Sequence, residues 1–321
     1  MDTALQAHKR KVYYNTFIVL SVLILVILNI ILLFLGLILH NELSVLNTRV
    51  DFIHYTNVQA RLKQGLQTKG WQTVSLNSRF GYVLEGTFIP NSKPSNKTII
   101  FVHGIAATQA MGIHCLEMYL NRGYNLLIYD SRGHGVSGGS CVTWGYYEQY
   151  DLDKWVDWLE KKHPDGIIGV HGVSMGAATA LMHAALNESS KRVKFYIADS
   201  AYSELSKLLA QQLAKHTKSH HPLWINILLK YASLVAYIQS DFSYEEISPI
   251  TAVNNVTTPI LYLHGEADAV VPVEMSLDLY QATRGYRELH TFPGIKHGRA
   301  VLDRKYDYQD IVTNFLNSID R

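Results

Sequence analysis

The chain has 321 residues, 48% of them hydrophobic and 17% charged, with a formal net charge of +2. That length and apolar content exclude general disorder and leave room for one large domain, or two modest ones, around a real core. A charge so near neutral, with no basic stripe interleaved with aromatics, excludes the field that gathers nucleic acid, and Cys115 and Cys141 form no CxxC motif, which leaves one disulfide or two free thiols open.

Residues 1–16 read as a short tail. The uncharged run Phe17–Leu39, FIVLSVLILVILNIILLFLGLIL, follows it, interrupted only by Ser21 and Asn29. As a helix rising about 1.5 Å per residue it would be about 35 Å long, enough to cross a hydrocarbon layer of about 30 Å with some tilt. The run outlasts the apolar stretch of about 7–15 residues in a signal peptide, and no small-x-small cleavage pattern follows Leu39, so the segment is expected to stay as a transmembrane anchor. The cluster His8-Lys9-Arg10-Lys11 lies before the span, and HNELSVLNTRVD after it mixes Glu42 and Asp51 with Arg49. Because basic residues stay inside, the N-terminus is expected in the cytoplasm and everything after residue 40 outside the cell membrane. Residues 40–70 read as a juxtamembrane linker.

From about residue 72 short β-rich runs alternate with helical stretches: TVSL, YVLEGTFI, TIIFVHG, NLLIYD, IIGVHG, KFYIADS, PILYLHG and RELHTF. This is the pattern of an α/β domain over 71–321, with a mostly parallel eight-stranded sheet flanked by helices. Between strands, EQYDLDKWVDWLEKKH places Leu152, Trp155, Val156 and Leu159 at helical spacing for one buried face. The stretch from about 202 to 255 carries no strand signal and is too long for an ordinary crossover, so it reads as a small helical cap.

The sequence GVSMG at 172–176 sits directly between a strand run and the helix formers AATALMHAAL. A G-x-S-x-G sequence in that context predicts a sharp turn that exposes Ser174 at a helix N-terminus, with Gly172 and Gly176 required because nothing bulky fits two residues to either side. A serine hydroxyl needs a base, and the base needs a carboxylate to fix its tautomer. Asp268, just past the strand in YLHGEADAVVP, and His297, just past the last strand in FPGIKHGRA, follow in the order Ser, Asp, His at the carboxyl ends of strands. The backbone amides of Met175 and of Ile105, in FVHGIAAT, are the candidate oxyanion donors.

Together HGIAA, YDSRGHGVSGG, GVSMGAA, LHGEADAVVP and KHG resemble the α/β-hydrolase superfamily, in particular its monoglyceride-lipase-like and serine-aminopeptidase-like branch found in membrane-anchored bacterial hydrolases. The resemblance covers about residues 70–320. It implies a serine hydrolase without metal or cofactor that works through an acyl-enzyme, with Ser174 as nucleophile, His297 as base and Asp268 as orienter. It does not imply a substrate, because this fold hosts many activities.

Other residues compete for these roles. His103 and His134 precede the serine and are expected to shape loops around the site. His290 lies within the last strand, not after it, and Asp199, ending KFYIADS, is a second candidate for the acid. His216, His220 and His221, with Lys207, Lys215 and Lys218, read as a solvated basic face of the cap, or one that meets anionic lipid, more than as a metal site. Leu223, Trp224, Ile225, Leu228 and Leu229 either line an acyl pocket or form the cap's own core. The leading reading is a membrane-anchored hydrolase of a small or lipid-like carboxylic ester. A peptidase or amidase of the same fold is the alternative within the chemistry, and a non-catalytic scaffold the alternative outside it.

Overall fold

The computed structural model describes residues 2–44, 56–217 and 221–319. Helix α1 (Asp2–Ser44) is long and apolar enough to cross a membrane, and it continues past the apolar run to Ser44. Within the stretch expected to be a linker, α2 (Thr56–Thr68) forms a second helix.

Eight strands follow: β1 (Gln72–Asn77), β2 (Val83–Ile89), β3 (Lys97–Val102), β4 (Asn125–Tyr129), β5 (Ile167–Val173), β6 (Val193–Asp199), β7 (Ile260–Gly265) and β8 (Arg287–Phe292). They form one sheet in the order β1-β2-β4-β3-β5-β6-β7-β8. The first three positions pair antiparallel and the remainder parallel. The helices between them are α3 (Leu116–Leu120), α4 (Glu148–Lys162), α5 (Met175–Asn187), α6 (Leu205–Thr217), α7 (Pro222–Ser240), α8 (Pro249–Val253) and α9 (Val273–Ala282), and α10 (Ala300–Asp303) and α11 (Lys305–Ile319) close the chain.

The central strands of the sheet are buried on both faces, which is why they are continuous apolar runs without polar alternation. In β3, Ile99 and Phe101 join one core with α2 and α11, while Ile100 and Val102 join the other with α4, α5 and α9. The apolar stripe of α4 behaves as its spacing predicts: Leu152, Trp155, Val156 and Leu159 are all buried. Cys115 and Cys141 are both buried free thiols.

A third core lies above the carboxyl ends of the strands, under α6 and α7. Within the stretch 202–255, α6 and α7 cover this core, whereas α8 packs on α5 and its Val253 joins the core shared with α4, α5 and α9. Leu223 and Trp224 point to the outside, Ile225 and Leu229 into this third core. Helix α1 packs along α7, and its Leu39 and Leu43 complete the same apolar cluster.

Candidate active site

Strand β5 ends at Val173 and α5 begins at Met175, so the whole reversal falls on Ser174, with φ 56° and ψ −118°. A non-glycine residue at positive φ is strained and is held by its surroundings. Here a Cβ on Gly172 would lie 2.2 Å from the Gly176 carbonyl oxygen, and one on Gly176 would lie 2.1 Å from that of Val102. Both glycines are thus demanded by backbone on the far side of the turn. The Ser174 amide donates to the Asp199 carbonyl at 2.8 Å, tying the turn to the end of β6.

Two loops at neighbouring strand ends bring the other groups to Ser174. After β7 and β8 the chain approaches so closely that a Cβ on Gly265 would sit 2.3 Å from the Ile295 oxygen, and the Ala267 amide donates to that oxygen at 2.9 Å. Across this contact His297 Nδ1 meets Asp268 Oδ2 at 2.6 Å, and His297 Nε2 meets Ser174 Oγ at 2.9 Å. A carboxylate only accepts, so Nδ1 carries the proton and Nε2 is left to accept from the serine hydroxyl.

Asp268 is anchored from three sides. Its Oδ1 accepts from the amides of Val270 and Val271, each at 2.8 Å, and His264 Nε2 approaches Oδ2 at 3.2 Å. His264 also faces the Val271 carbonyl through Nε2 at 2.9 Å and Ser276 Oγ through Nδ1 at 2.6 Å, so its proton sits on Nε2 and the Ser276 hydroxyl donates to Nδ1. Burial alone would raise the Asp268 carboxyl, but the hydrogen bonds from His264 and His297 and the amide of Val271 outweigh it and hold the group well below the usual carboxylate range. Sequence reasoning missed His264 and Ser276, which no local signal ties to the aspartate loop.

His103 and His134 stand as braces. His103 donates from Nδ1 to the Gly104 carbonyl at 2.7 Å and accepts the Ser131 amide at Nε2, 2.9 Å. His134 donates to the Arg132 carbonyl at 3.0 Å and accepts the Ala106 amide at 3.2 Å. Burial lowers both rings to about 4, so they remain neutral and able to accept. Between their attachment points lies Ile105, followed by Ala106 at φ 55°. A Cβ on Gly104 would stand 3.2 Å from that of Ser174, so this loop passes directly beside the serine. Met175, the first residue of α5, carries one of the amides that a helix start leaves without an intrahelical partner.

The competing groups are committed elsewhere. Asp199 is buried and accepts from Ser200 Oγ at 2.8 Å and Tyr308 OH at 3.0 Å, with burial raising its carboxyl. His290 faces Glu288 at 3.2 Å. On the cap, Lys207 pairs with Asp278 at 3.1 Å, and Lys215 donates to the Ala269 carbonyl at 3.0 Å beside Asp268. His216 and His221 are exposed, while His220 and Lys218 lie outside the described residues. No group of three His, Cys, Asp or Glu side chains is placed to hold a metal among the described residues.

Two cavities of about 340 and 350 Å³ open from Ser174 and share Ile105 and Val270. One runs under the cap between Leu39, Leu43, Tyr202, Leu209, Leu213 and Leu229. The other is walled by Met111, His114, His297, Arg299, Val301 and Leu302.

Residues 97–222 match the model of the α/β-hydrolase fold family. An uncharacterised protein of Bacillus subtilis, YqkD, is 32% identical over 245 residues, which are 76% of this chain and 78% of that protein. The chain belongs to the α/β-hydrolase fold family. The Pyrococcus furiosus esterase PF2001 superposes with a TM-score of 0.62 at 27% identity, over 77% of this chain and 90% of its own. The lysophosphatidylserine lipase ABHD12 of Macaca fascicularis is 26% identical over 62% of this chain, which spans only 48% of that relative.

Proposed function

We propose that this α/β-hydrolase is a membrane-anchored serine hydrolase that cleaves a carboxylic ester with a lipid-like acyl group. The observation that carries the reading is His297 bridging Ser174 and Asp268 at the point where two cavities meet. In this reading His297 Nε2 takes the Ser174 proton as Oγ attacks the ester carbonyl. The backbone amides of Ile105 and Met175 stabilise the oxyanion, and the imidazolium, steadied by Asp268, returns its proton to the leaving alcohol. Water then attacks the acyl-enzyme with His297 as base, releasing the acid and restoring the serine.

The cavity under the cap would take the acyl chain and the cavity beside Arg299 the alcohol, since the first is the more purely apolar. The named esterase and lipase relatives support ester chemistry. Residues 17–39 of α1 would span the cell membrane with the His8–Lys11 cluster in the cytoplasm and the hydrolase domain outside.

Labelling with a fluorophosphonate probe tests the reading. The native chain should label and Ser174→Ala should not; labelling that survives the substitution removes Ser174 from the mechanism. A panel of p-nitrophenyl esters against aminoacyl anilides should show ester preference, and anilide preference would turn the assignment to an amidase. Protease added outside intact cells should digest the hydrolase domain; protection would reverse the orientation.

A further inference from the structure

The lower half of α1 does not simply lead to the hydrolase domain but docks on its cap. Asn29, Leu32, Gly36, Leu37, Leu39, His40, Asn41, Leu43 and Ser44 are the partly or fully covered residues of this half, on one broad side of the helix, while Phe34, Leu35 and Ile38 remain exposed. Gly36 permits the closest approach, for a Cβ there would lie 2.7 Å from the backbone of Tyr231 in α7. Polar contacts fix the register. Tyr231 OH donates to Asn29 Oδ1, His40 Nδ1 meets Tyr244 OH at 3.0 Å, and the Val142 amide donates to the Ser44 carbonyl at 2.9 Å.

Leu39 and Leu43 lie on this docked side, and both line the cavity that reaches Ser174. The same helix that would cross the bilayer therefore forms a wall of the site. Helix α7 runs beside α1, and its exposed side chains include Leu223, Trp224, Leu234, Tyr237 and Ile238. Both helices thus present exposed apolar side chains, so lipid is the occupant whose chemistry matches them. The cavity volume of about 340 Å³ lies near the lower end of the range for small-ligand sites, about 300–1,000 Å³. It suits one acyl chain.

We infer that the membrane anchor is part of the acyl-binding site: Leu39 and Leu43 set the acyl-chain length that Ser174 accepts, and the substrate is a single-chain acyl ester entering from the bilayer along α1 and α7. This rests on the ester-hydrolase reading above. Bulk at either leucine shortens the chain that fits, and loss of bulk lengthens it. Residues on the outward face of the same helix do neither.

The test uses the full chain in detergent micelles, with the ratio of kcat/KM for p-nitrophenyl laurate to that for p-nitrophenyl butyrate as readout. In Leu39→Trp and in Leu43→Trp the ratio should fall about tenfold or more, the scale at which a pocket rejects added methylenes. In Leu39→Ala it should rise, which keeps the inference open to refutation if a tryptophan variant fails to fold. Leu35→Trp, on the outward face, should leave it at the native value. An unchanged ratio in both Leu39 variants and in Leu43→Trp overturns the inference, as does an equal shift in Leu35→Trp. A native chain that neither labels with fluorophosphonate nor hydrolyses either ester fails the hydrolase reading itself, a result seen before any variant is made.

Discussion

Beneath Ser174 the site is made of hydrogen bonds and backbone in near-contact; above it the cavity is lined mainly by aliphatic side chains, which come from three helices. In the floor, Asp268 receives two amides and two imidazoles, and His103 and His134 each hold one loop atom by accepting and another by donating. In the roof, Leu39, Leu43, Leu209, Leu213 and Leu229 meet through van der Waals contact alone. Hydrogen bonds lose their value within a few tenths of an ångström, whereas apolar packing tolerates exchange of shape at similar volume. On the proposed function, the difference separates the bond-breaking geometry from the fit of the substrate, and it can be broken at either level.

The largest effect should come from the floor. Ser174→Ala is expected to lower kcat by about 10⁴- to 10⁶-fold, the range for loss of a nucleophile that works as a unit with its base. Its melting temperature should stay close to native, because the Ser174 amide bond to Asp199 needs no side chain. Single-turnover ester hydrolysis and calorimetry check the two halves of this expectation.

Much of the floor was legible in the sequence because it is local. Strands buried on both faces write themselves as unbroken apolar runs, and Gly172, Ser174 and Gly176 fall at fixed offsets from the end of β5. Asp268 and His297 could be chosen by order and by position after β7 and β8. The supports were not legible, since nothing near His264 in sequence reveals that Ser276 in α9 turns back to face it. The roof was harder still. A run such as Phe17–Leu39 is apolar on every side, so its composition signals a membrane and hides any docking face. The trace that remained was the file of Asn29, Gly36, His40 and Ser44, small or polar residues on one side of an apolar helix, and it becomes visible only once α7 is known to lie against it.

The braces make the floor sensitive to acid. His103 and His134 have their ring pKa lowered to about 4 by burial, against about 6.5 in an unfolded chain. Below pH 6.5 the unfolded state binds protons that the folded state refuses, so stability is full above that point and falls as pH drops toward 4. The loss should reach several kcal/mol, each ring accounting for roughly 3 kcal/mol at most. Urea midpoints between pH 7 and pH 4 measure it, and His103→Gln should flatten the slope. A stability independent of pH across this window would show that the loop holding Ile105 does not depend on neutral imidazoles.

Gly176→Ala probes steric exactness without touching any hydrogen-bonding group. The added methyl meets the Val102 and His103 carbonyl oxygens at 2.1 and 2.6 Å, both backbone atoms that cannot rotate away. A cost of about 1–3 kcal/mol in thermal or chemical unfolding is expected, with loss of fluorophosphonate labelling as the turn opens. Retained labelling at native rate would mean the turn relaxes more freely than its contacts imply.

The smallest effect belongs to the outer surface of the roof. Trp224 is 58% exposed on α7 and lines neither cavity, so Trp224→Ser should change stability by no more than about 0.5 kcal/mol. For a soluble butyrate ester, hydrolysis should stay within about twofold of native, because the floor is untouched. An ester presented in vesicles poses a different demand, since this exposed indole belongs to the apolar outer side of α7 that would meet lipid. Hydrolysis there should fall measurably below the soluble case. If Trp224→Ser instead slowed the soluble ester as much as Gly176→Ala does, the roof would be setting the geometry of the floor, and the separation between bond breaking and substrate fit would fail.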